Sequence, residues 1–372
     1  MPELYIGLMS GTSLDGIDAA LVSFDNDQLT LKHHLCLDIP SPLKHELLSL
    51  CHGTDNEIDR LGRADRLFAL AMADCVMQLC KQAQIDTTQV RAIGSHGQTV
   101  RHRPPAPTTP HGEAFTLQIG DPNTLAEVSG ITTVADFRRR DIAAGGQGAP
   151  LVPAFHAAMM HKTGVNRVIV NIGGMANISV LTGDGRVSGF DTGPGNVLMD
   201  CWIQQHRGQP FDRDGAWAAS GNPIAELESA FLDKPFFTTS GPKSTGREDF
   251  NPAALDTILQ TLPRLNPEDV QHSLLQVTAK SIALAIKQHA PATTEVFVCG
   301  GGAHNRALLA ALHQQLPSCK IATTSKLGID PDWVEACAFA WLARQTLLGQ
   351  PGNVPAVTGA RGQRILGAIY PA

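Results

Sequence analysis

The 372-residue chain has few aromatic residues, 5% of the total, and no excess of basic ones. Lys and Arg number 29 against 35 Asp and Glu, which gives a net charge of -6 at pH 7. Proteins that bind nucleic acids usually present a basic face, and those that bind single strands add aromatic platforms for stacking. We therefore expect no nucleic-acid partner.

Long hydrophobic runs and paired cysteines are also missing. No apolar stretch approaches the roughly 20 residues needed to span a bilayer, and the N-terminus lacks the basic-then-apolar pattern of a signal peptide. The eight cysteines are scattered without a Cys-x-x-Cys pair, and the histidines show no metal-ligand spacing. The Gly-x-x-x-x-Gly-Lys-[Ser/Thr] pattern of a P-loop is absent as well. We expect free thiols, no membrane partner and a cytoplasmic location.

The chain is longer than one typical hydrophobic core, so two domains are expected. A charged run at residues 136–141 and a glycine cluster at residues 145–148 mark the predicted crossing between them. Domain I is predicted to comprise residues 1–137 and about 345–372, and domain II residues 138–344. The alternative for the arginines of the charged run is a solvated turn.

The stretch from residue 4 to residue 18 combines a predicted buried strand, residues 4–9, with a turn of small residues. Small hydroxyl residues around a glycine let backbone N–H groups converge on an anion, and carboxylates just beyond them suit the accompanying metal ion. The alternative is a tight turn between strands. The candidate phosphate-binding residues are Ser10, Gly11, Thr12, Ser13, Leu14, Asp15, Gly16 and Asp18.

The second half of the chain repeats this pattern. Residues 4–39 and residues 167–190 both predict a strand, a glycine turn, a strand, an acidic turn and a strand. An internal repeat implies two similar domains, each presenting a glycine turn, and the second turn contains Gly173 and Gly174. Asp191 ends the third strand of the second copy, in a glycine turn that leads into a helix. That position favours chemistry, and its alternative is a residue of the helix N-cap region.

Two further segments follow predicted buried strands. Residues 95–99, Ser-His-Gly-Gln-Thr, lie at the C-terminal end of strand 90–94, where α/β sheets place their ligands. Gly300, Gly301 and Gly302 connect strand 295–299 to a helix, with Asn305 close behind. Successive glycines here permit close approach of a flat ligand such as adenine or ribose.

Three glycine turns on a duplicated β-β-β frame resemble the superfamily of actin, Hsp70 and the sugar kinases. The resemblance implies an α/β, two-domain, hexokinase-like (ribonuclease H-like) fold with a duplicated β-β-β-α-β-α frame and ATP in the interdomain cleft. The chain departs from the superfamily's first loop, Asp-x-Gly-Thr, because Met9 stands where the aspartate is expected. Asp15 or Asp18 is then left to hold the metal ion.

Six segments narrow the resemblance to the anhydro-N-acetylmuramic acid kinase family. They are residues 9–16 (MSGTSLDG), 95–99 (SHGQT), 135–138 (ADFR), 171–174 (NIGG), 190–196 (FDTGPGN) and 243–248 (KSTGRE). The resemblance runs along the whole chain in order. It implies a cytoplasmic, homodimeric enzyme of bacterial peptidoglycan recycling, which uses ATP and Mg²⁺, opens a 1,6-anhydro sugar ring with water and phosphorylates O6.

This activity assigns roles to the candidate residues. The turns at Gly11 and at Gly173 and Gly174 would hold the phosphates, with Mg²⁺ near Asp15 or Asp18. The adenosine would lie against Gly300, Gly301, Gly302 and Asn305. The candidates for the sugar are His96, Gln98, Thr99 and Arg138, of which the arginine suits the lactyl carboxylate because it binds carboxylates bidentately.

Ring opening needs a base for the attacking water, and we choose Asp191 for that role. Glu335 is the second acid, with an exposed carboxylate at a helix start as the alternative. Two other function classes stay open. The first is a kinase for another sugar, differing in the pocket near Ser95 and Phe137, and the second is an ATP-gated clamp that binds a protein. A clamp predicts an added binding domain or a large apolar insert, and the sequence has neither.

Overall fold

The computed structural model describes residues 2–11, 14–53, 55–105, 113–239, 245–246 and 249–372. The chain folds into two compact units: unit 1 is Met1–Met159 with Trp333–Ala372, and unit 2 is Met160–Asp332. The predicted boundaries were 137/138 and 344/345, so residues 138–159 and 333–344 belong to unit 1 instead. Residues 138–159 join unit 1 because Arg138 hydrogen-bonds to His96 and Asp141 to Asn353. Residues 333–344 join it because their helix packs closely on Gly7.

The strands are numbered along the described chain. They are β1 (Glu3–Met9), β2 (Ile17–Asp25), β3 (Gln28–Leu37), β4 (Val90–Ser95), β5 (Gln98–Arg103), β6 (Phe115–Ile119), β7 (Thr133–Ala135), β8 (Arg167–Ile172), β9 (Met175–Leu181), β10 (Val187–Pro194), β11 (Glu295–Cys299), β12 (Lys320–Thr323) and β13 (Ala368–Tyr370). β1 is apolar and buried, as the sequence predicted, and β2 is buried as well. β3 alternates between exposed and partly buried residues, as expected of a strand at a sheet edge.

The main sheets of the two units share an arrangement of five strands. The order in unit 1 is β13-β7-β4-β1-β2-β3, where β1, β2 and β3 are antiparallel neighbours and β4 and β7 run parallel to β1. In unit 2 the order is β10-β9-β8-β11-β12, with β8, β9 and β10 antiparallel and β11 and β12 parallel to β8. Five strands therefore repeat in order and direction, and the predicted duplicated α/β frame is confirmed.

The helices are numbered in the same way. They are α1 (Ser41–His52), α2 (Glu57–Ala83), α3 (Pro122–Ser129), α4 (Arg139–Ala143), α5 (Val152–Met160), α6 (Val197–Arg207), α7 (Ala225–Leu232), α8 (Pro235–Thr238), α9 (Pro252–Leu259), α10 (Pro267–His289), α11 (Arg306–Gln315), α12 (Val334–Leu347) and α13 (Pro355–Thr358). None of the helices among the described residues is both long and apolar enough to cross a membrane.

Two helices sandwich the unit 1 sheet. Ile6 and Leu8 of β1 share a core with Phe68 of α2, whereas Gly7 faces α12: a Cβ on Gly7 would lie 1.8 Å from Ala336 O. Because successive strand residues point to opposite faces, α2 and α12 cover opposite faces of the sheet. A glycine at position 7 is therefore required for the close approach of α12, whose first turn contains Glu335.

The starts of the first two helices are marked by their local sequence. Helix α2 begins at Glu57 after Asn56, whose backbone is left-handed. Helix α1 begins at Ser41, directly after Pro40. Proline is favourable in the first turn of a helix, and Pro42 occupies that place.

Candidate active site

Hydrogen bonds within unit 1 hold the turn after β1. Ser10 Oγ lies 2.8 Å from Gln98 Oε1 and 3.1 Å from Gly16 O, and the Leu14 N–H donates to Gly11 O at 3.2 Å. Leu14 has a positive φ of 57° and a fully buried side chain. A phosphate at this turn would therefore meet only the backbone of Leu14. The predicted Thr12 and Ser13 lie outside the described residues.

Gly16, Asp15 and Asp18 have different surroundings. A Cβ on Gly16 would lie 2.7 Å from Cys36 Sγ, so packing against β3 accounts for this glycine. The Asp15 side chain is 82% exposed, and its Oδ1 lies 4.0 Å from Lys44 Nζ. Asp18 is partly buried on β2, and its charge acts on Glu335. Of the two candidate metal ligands, Asp15 is therefore exposed to solvent, whereas Asp18 influences the pKa of Glu335.

His96, which is buried, and Arg138, which is partly buried, interact at the end of β4. The His96 N–H donates to Leu8 O at 3.0 Å, which extends the ladder between β4 and β1. Arg138 Nε and Nη2 lie 3.1 and 2.9 Å from His96 Nε2. A guanidinium has only donors, so His96 Nε2 accepts and the imidazole is neutral. Burial, followed by the charge of Arg138, holds the pKa of His96 well below its usual value.

Glu335 lies in the first turn of α12 and is partly buried, so it is not the exposed carboxylate of the alternative interpretation. Burial raises the pKa of Glu335, Arg138 opposes that shift and Asp18 adds to it. Burial also lowers the pKa of Arg138 to about 10, against the opposing charges of Glu335 and Asp141. The charges of Asp18 and Arg138 thus both influence the pKa of Glu335.

Gln98 and Thr99 support the same turn from β5. Gln98 is fully buried; its Oε1 faces Ser10 Oγ and its Nε2 donates to Thr99 O at 3.3 Å. Thr99 Oγ1 accepts from Gln118 Nε2 at 3.1 Å. These contacts give both residues a place in the local structure, and their contacts with a sugar stay a prediction.

In unit 2 the turn at Gly173 and Gly174 packs on the start of α6. The Gly195 N–H donates to Gly174 O at 2.9 Å and the Asn196 N–H to Gly173 O at 2.8 Å. A Cβ on Gly195 would lie 2.3 Å from Gly173 O, whereas a Cβ on Gly173 or Gly174 would meet nothing closer than 3.7 Å. The glycine turn therefore keeps an open side, which the predicted phosphate contact requires.

Asp191 lies within β10, at a break in its pairing with β9 between Asp191 and Gly193. Such bulges redirect a side chain and are frequent beside active sites. The Thr245 N–H donates to Asp191 Oδ2 at 3.1 Å and fixes the orientation of the carboxylate. The N-cap of α6 is Asn196, so the N-cap alternative for Asp191 is wrong.

The three glycines after β11 differ in their environment. A Cβ on Gly300 would lie 2.4 Å from Asn171 Oδ1, and one on Gly302 would lie 2.4 Å from Ile172 Cγ2. A Cβ on Gly301 would meet only Asn196 Nδ2, at 3.7 Å. Gly300 and Gly302 are thus required by packing on β8, and Gly301 alone of the three leaves room for a ligand. Asn305 Oδ1 accepts from the Leu308 N–H at 2.9 Å and caps α11.

Sequence reasoning missed Asp141, which ends the charged run. Its side chain is fully buried, whereas Arg139 and Arg140 of the same run are exposed, as the alternative of a solvated turn expects of them. It contacts Gly148, Asn353 and Thr358. The available signal was local: Asp141 follows Arg138 by three positions, which places the two side chains on one side of a helical turn.

A family model described as anhydro-N-acetylmuramic acid kinase matches residues 3–372. A relative of that name from Xanthomonas campestris pv. campestris is 52% identical over 373 aligned positions, covering 99% of this chain and 97% of the relative. Another, from Pseudomonas syringae pv. tomato, is 50% identical and covers 100% of both chains. Among solved structures, component A of the Acidaminococcus fermentans (R)-2-hydroxyglutaryl-CoA dehydratase is 11% identical, with a TM-score of 0.48. The match covers 91% of this chain and 96% of that one, and it is too distant to add to the family assignment. The chain belongs to the anhydro-N-acetylmuramic acid kinase family.

Proposed function

We propose that the chain is an ATP-dependent kinase that opens the ring of 1,6-anhydro-N-acetylmuramic acid with water and phosphorylates O6. The product would be N-acetylmuramic acid 6-phosphate, an intermediate of peptidoglycan recycling. The match of the family model to residues 3–372 is the observation that carries this proposal. Relatives of that name at 50–52% identity support it along the whole chain.

Asp191 is the proposed base of the reaction. It removes a proton from water as the water oxygen bonds to C1 of the sugar. The C1–O6 bond breaks, O6 attacks the γ-phosphorus, and the bond between that phosphorus and the β–γ bridging oxygen breaks to release ADP. The position of Asp191 at a strand bulge, oriented by the Thr245 N–H, supports this role.

Arg138 is the proposed contact for the lactyl carboxylate, the one formal charge on the sugar. Its guanidinium is already fixed by His96 and Gly148, so little side-chain freedom remains to be lost on binding. Glu335 lies close enough to Arg138 for the two charges to affect each other. We assign Glu335 to steadying the sugar or the water, and His96, Gln98 and Thr99 to shaping the pocket.

The open turn at Gly173 and Gly174 and the open side of Gly301 fit a nucleotide, because a Cβ at any of these positions would reduce that space. A magnesium ion would neutralise charge on the transferred phosphoryl group. No cluster of three or more Asp, Glu, His or Cys side chains suited to a metal occurs among the described residues. Mg²⁺ commonly binds one or two carboxylates plus phosphate oxygens, and Asp18 fits that role better than the exposed Asp15.

The homodimer and the cytoplasmic location are proposed from the family resemblance alone. Analytical ultracentrifugation tests the first: a single species at twice the monomer mass of 39.6 kDa is expected. A monomer at micromolar concentration would refute it.

The decisive experiment incubates the protein with Mg·ATP and 1,6-anhydro-N-acetylmuramic acid in ¹⁸O-labelled water. An ordinary sugar kinase adds only a phosphoryl group, because its acceptor carries a free hydroxyl. Here O6 is bonded to C1, so the product must gain a phosphoryl group and one water. We expect the label at C1 and none in the phosphate, measured by mass spectrometry.

The other function classes give different results. Phosphorylation of an open hexose, with no reaction of the anhydro sugar, would favour the kinase for another sugar and refute the substrate. Label in free phosphate without a sugar product would mean an ATPase and favour the clamp.

A further inference from the structure

Arg138 is held from two sides within unit 1. On one side its Nε and Nη2 lie 3.1 and 2.9 Å from His96 Nε2, and on the other its Nη1 donates to Gly148 O at 2.8 Å. These contacts use three of the five guanidinium N–H groups. Two N–H groups are left without a hydrogen-bond partner among the described residues, the number that a carboxylate needs for a bidentate contact.

The loop that carries Gly148 is held in turn by Asp141. Asp141 Oδ2 accepts from the Gly148 N–H at 2.8 Å. A Cβ on Gly146 would lie 2.2 Å from the same oxygen, so the loop closes tightly around the carboxylate. The backbone N–H of Gly148 therefore donates to Asp141, while its carbonyl accepts from Arg138. A displacement of Asp141 would move Gly148 and, through it, the guanidinium.

The other oxygen of Asp141 connects this loop to the C-terminal segment. Oδ1 accepts from Asn353 Nδ2 at 2.7 Å and from Thr358 Oγ1 at 2.8 Å. Thr358 also binds the loop through its backbone, because its carbonyl accepts from the Gln147 N–H at 2.7 Å. The side chains of Asp141, Asn353 and Thr358 are all buried.

The charge of Asp141 has no ion-pair partner within 4.0 Å among the described residues. The carboxylate is stabilised instead by hydrogen bonds from Gly148, Asn353 and Thr358. Loss of one donor would leave a buried carboxylate incompletely solvated, which costs free energy. Its field also reaches Arg138, where it opposes the effect of burial on the pKa of the guanidinium. Geometry and charge thus link the same two residues.

We propose that Asp141, held by Asn353 and Thr358, is a positioning residue that fixes the direction in which Arg138 presents its two remaining N–H groups to the carboxylate of the sugar. The inference rests on the proposed function, since that function supplies the carboxylate. It makes the C-terminal segment 353–358 part of the sugar site without contact with the sugar.

The test is a double-mutant cycle with Thr358→Val and Arg138→Ala, measured on the full-length enzyme. Loss of one of the hydrogen bonds to the Asp141 carboxylate should raise the KM for the anhydro sugar about 3- to 10-fold, with the KM for ATP unchanged. This is less than the full effect of a charge-assisted bond, because Asp141 acts on the sugar only through Arg138. In the Arg138→Ala background the same substitution should have no further effect on the KM for the sugar. Thr358→Ser, which keeps the hydroxyl, should restore the wild-type value.

Thr346→Val is the matched control. Thr346 is also a buried threonine that holds the C-terminal segment, because its Oγ1 contacts Leu366 O, but it does not touch Asp141. It should lower thermal stability without changing the KM for the sugar. An equal rise in KM from Thr346→Val, or an equal effect of Thr358→Val with and without Arg138, would overturn the inference.

Crystal structures of the Asp141→Asn and Thr346→Val variants decide the inference even if the anhydro sugar is not the substrate. Asp141→Asn places an amide N–H₂ against donors, so Arg138 should leave Gly148 O or His96 Nε2 in that variant and keep both contacts in Thr346→Val. If the wild-type enzyme does not convert the anhydro sugar, the proposed function is refuted but the positioning role of Asp141 is not. An unmoved Arg138 in Asp141→Asn would refute the positioning role alone.

Discussion

Replacing Gly7 by alanine tests how closely α12, which carries Glu335, must pack on the sheet. The new Cβ would lie 1.8 Å from Ala336 O and 2.7 Å from Ala340 N, both backbone atoms of α12, whereas ordinary contacts begin near 3.4 Å. Neither partner is a flexible side chain, so strand or helix must move by more than 1 Å. Overpacking of a core costs about 1–3 kcal/mol, and we expect the upper end here.

For a unit of about 200 residues, a loss of about 3 kcal/mol lowers the melting temperature by roughly 6–12 °C. Activity should fall as well, because Ala336 directly follows Glu335. Gly62→Ala is the matched control: a Cβ there meets nothing within 4 Å, and alanine in a helix gains about 0.5–1 kcal/mol over glycine. Circular dichroism melts and steady-state kinetics of both variants measure the difference. If Gly7→Ala melts like the wild type and keeps its kcat, α12 does not pack on β1 as described.

Three further predictions concern the site. Asp191→Asn should lower kcat about 10²–10⁴-fold, the usual contribution of a general base, with ATP binding by calorimetry nearly unchanged; a variant retaining a tenth of wild-type turnover would exclude Asp191 as the base. Arg138→Ala should raise the KM for the sugar far more than that for ATP, and equal effects on the two would argue against a contact with the lactyl carboxylate. Burial raises the pKa of Glu335 above its ordinary 4.5. If the reaction needs Glu335 in its ionised form, kcat/KM should fall as the pH is lowered, and the fall should begin at a pH above 4.5. Glu335→Gln should remove that limb of the pH profile, and a profile with the same limb would assign it to another group.

The repeated part of the fold could be predicted because its signals are local. β1, β2, β8 and β9 are short, largely apolar runs, β3 and β10 follow them after acidic or glycine turns, and each segment forms its strand where it was expected. The membership of the kinase family was predicted for the same reason, since its motifs are continuous segments, and the family match confirms it. The order of β4, β7 and β13 depends on pairing between distant segments, which periodicity does not encode.

The unit boundaries and the support of Arg138 could not be predicted, because both depend on contacts across the chain. Asp141 bonds to Asn353 and Thr358, which are 212 and 217 positions away. A charged run next to a glycine cluster looks like a linker in sequence, since burial of a carboxylate is visible only when its donors are known. The same long-range contacts place residues 138–159 in unit 1 and explain two residues of the charged run, Arg138 and Asp141.

The glycines show why a residue type found in the expected place still leaves its role open. Gly16, Gly300 and Gly302 were predicted to contact a nucleotide, yet a Cβ on each would collide with Cys36, Asn171 or Ile172 of the protein itself. A Cβ on Gly173, Gly174 or Gly301 would meet no atom nearer than 3.7 Å. Packing therefore excludes larger residues at the first three positions whether or not a ligand binds. Packing does not require a glycine at positions 173, 174 and 301. The structural argument for a nucleotide at these turns therefore depends on those three residues.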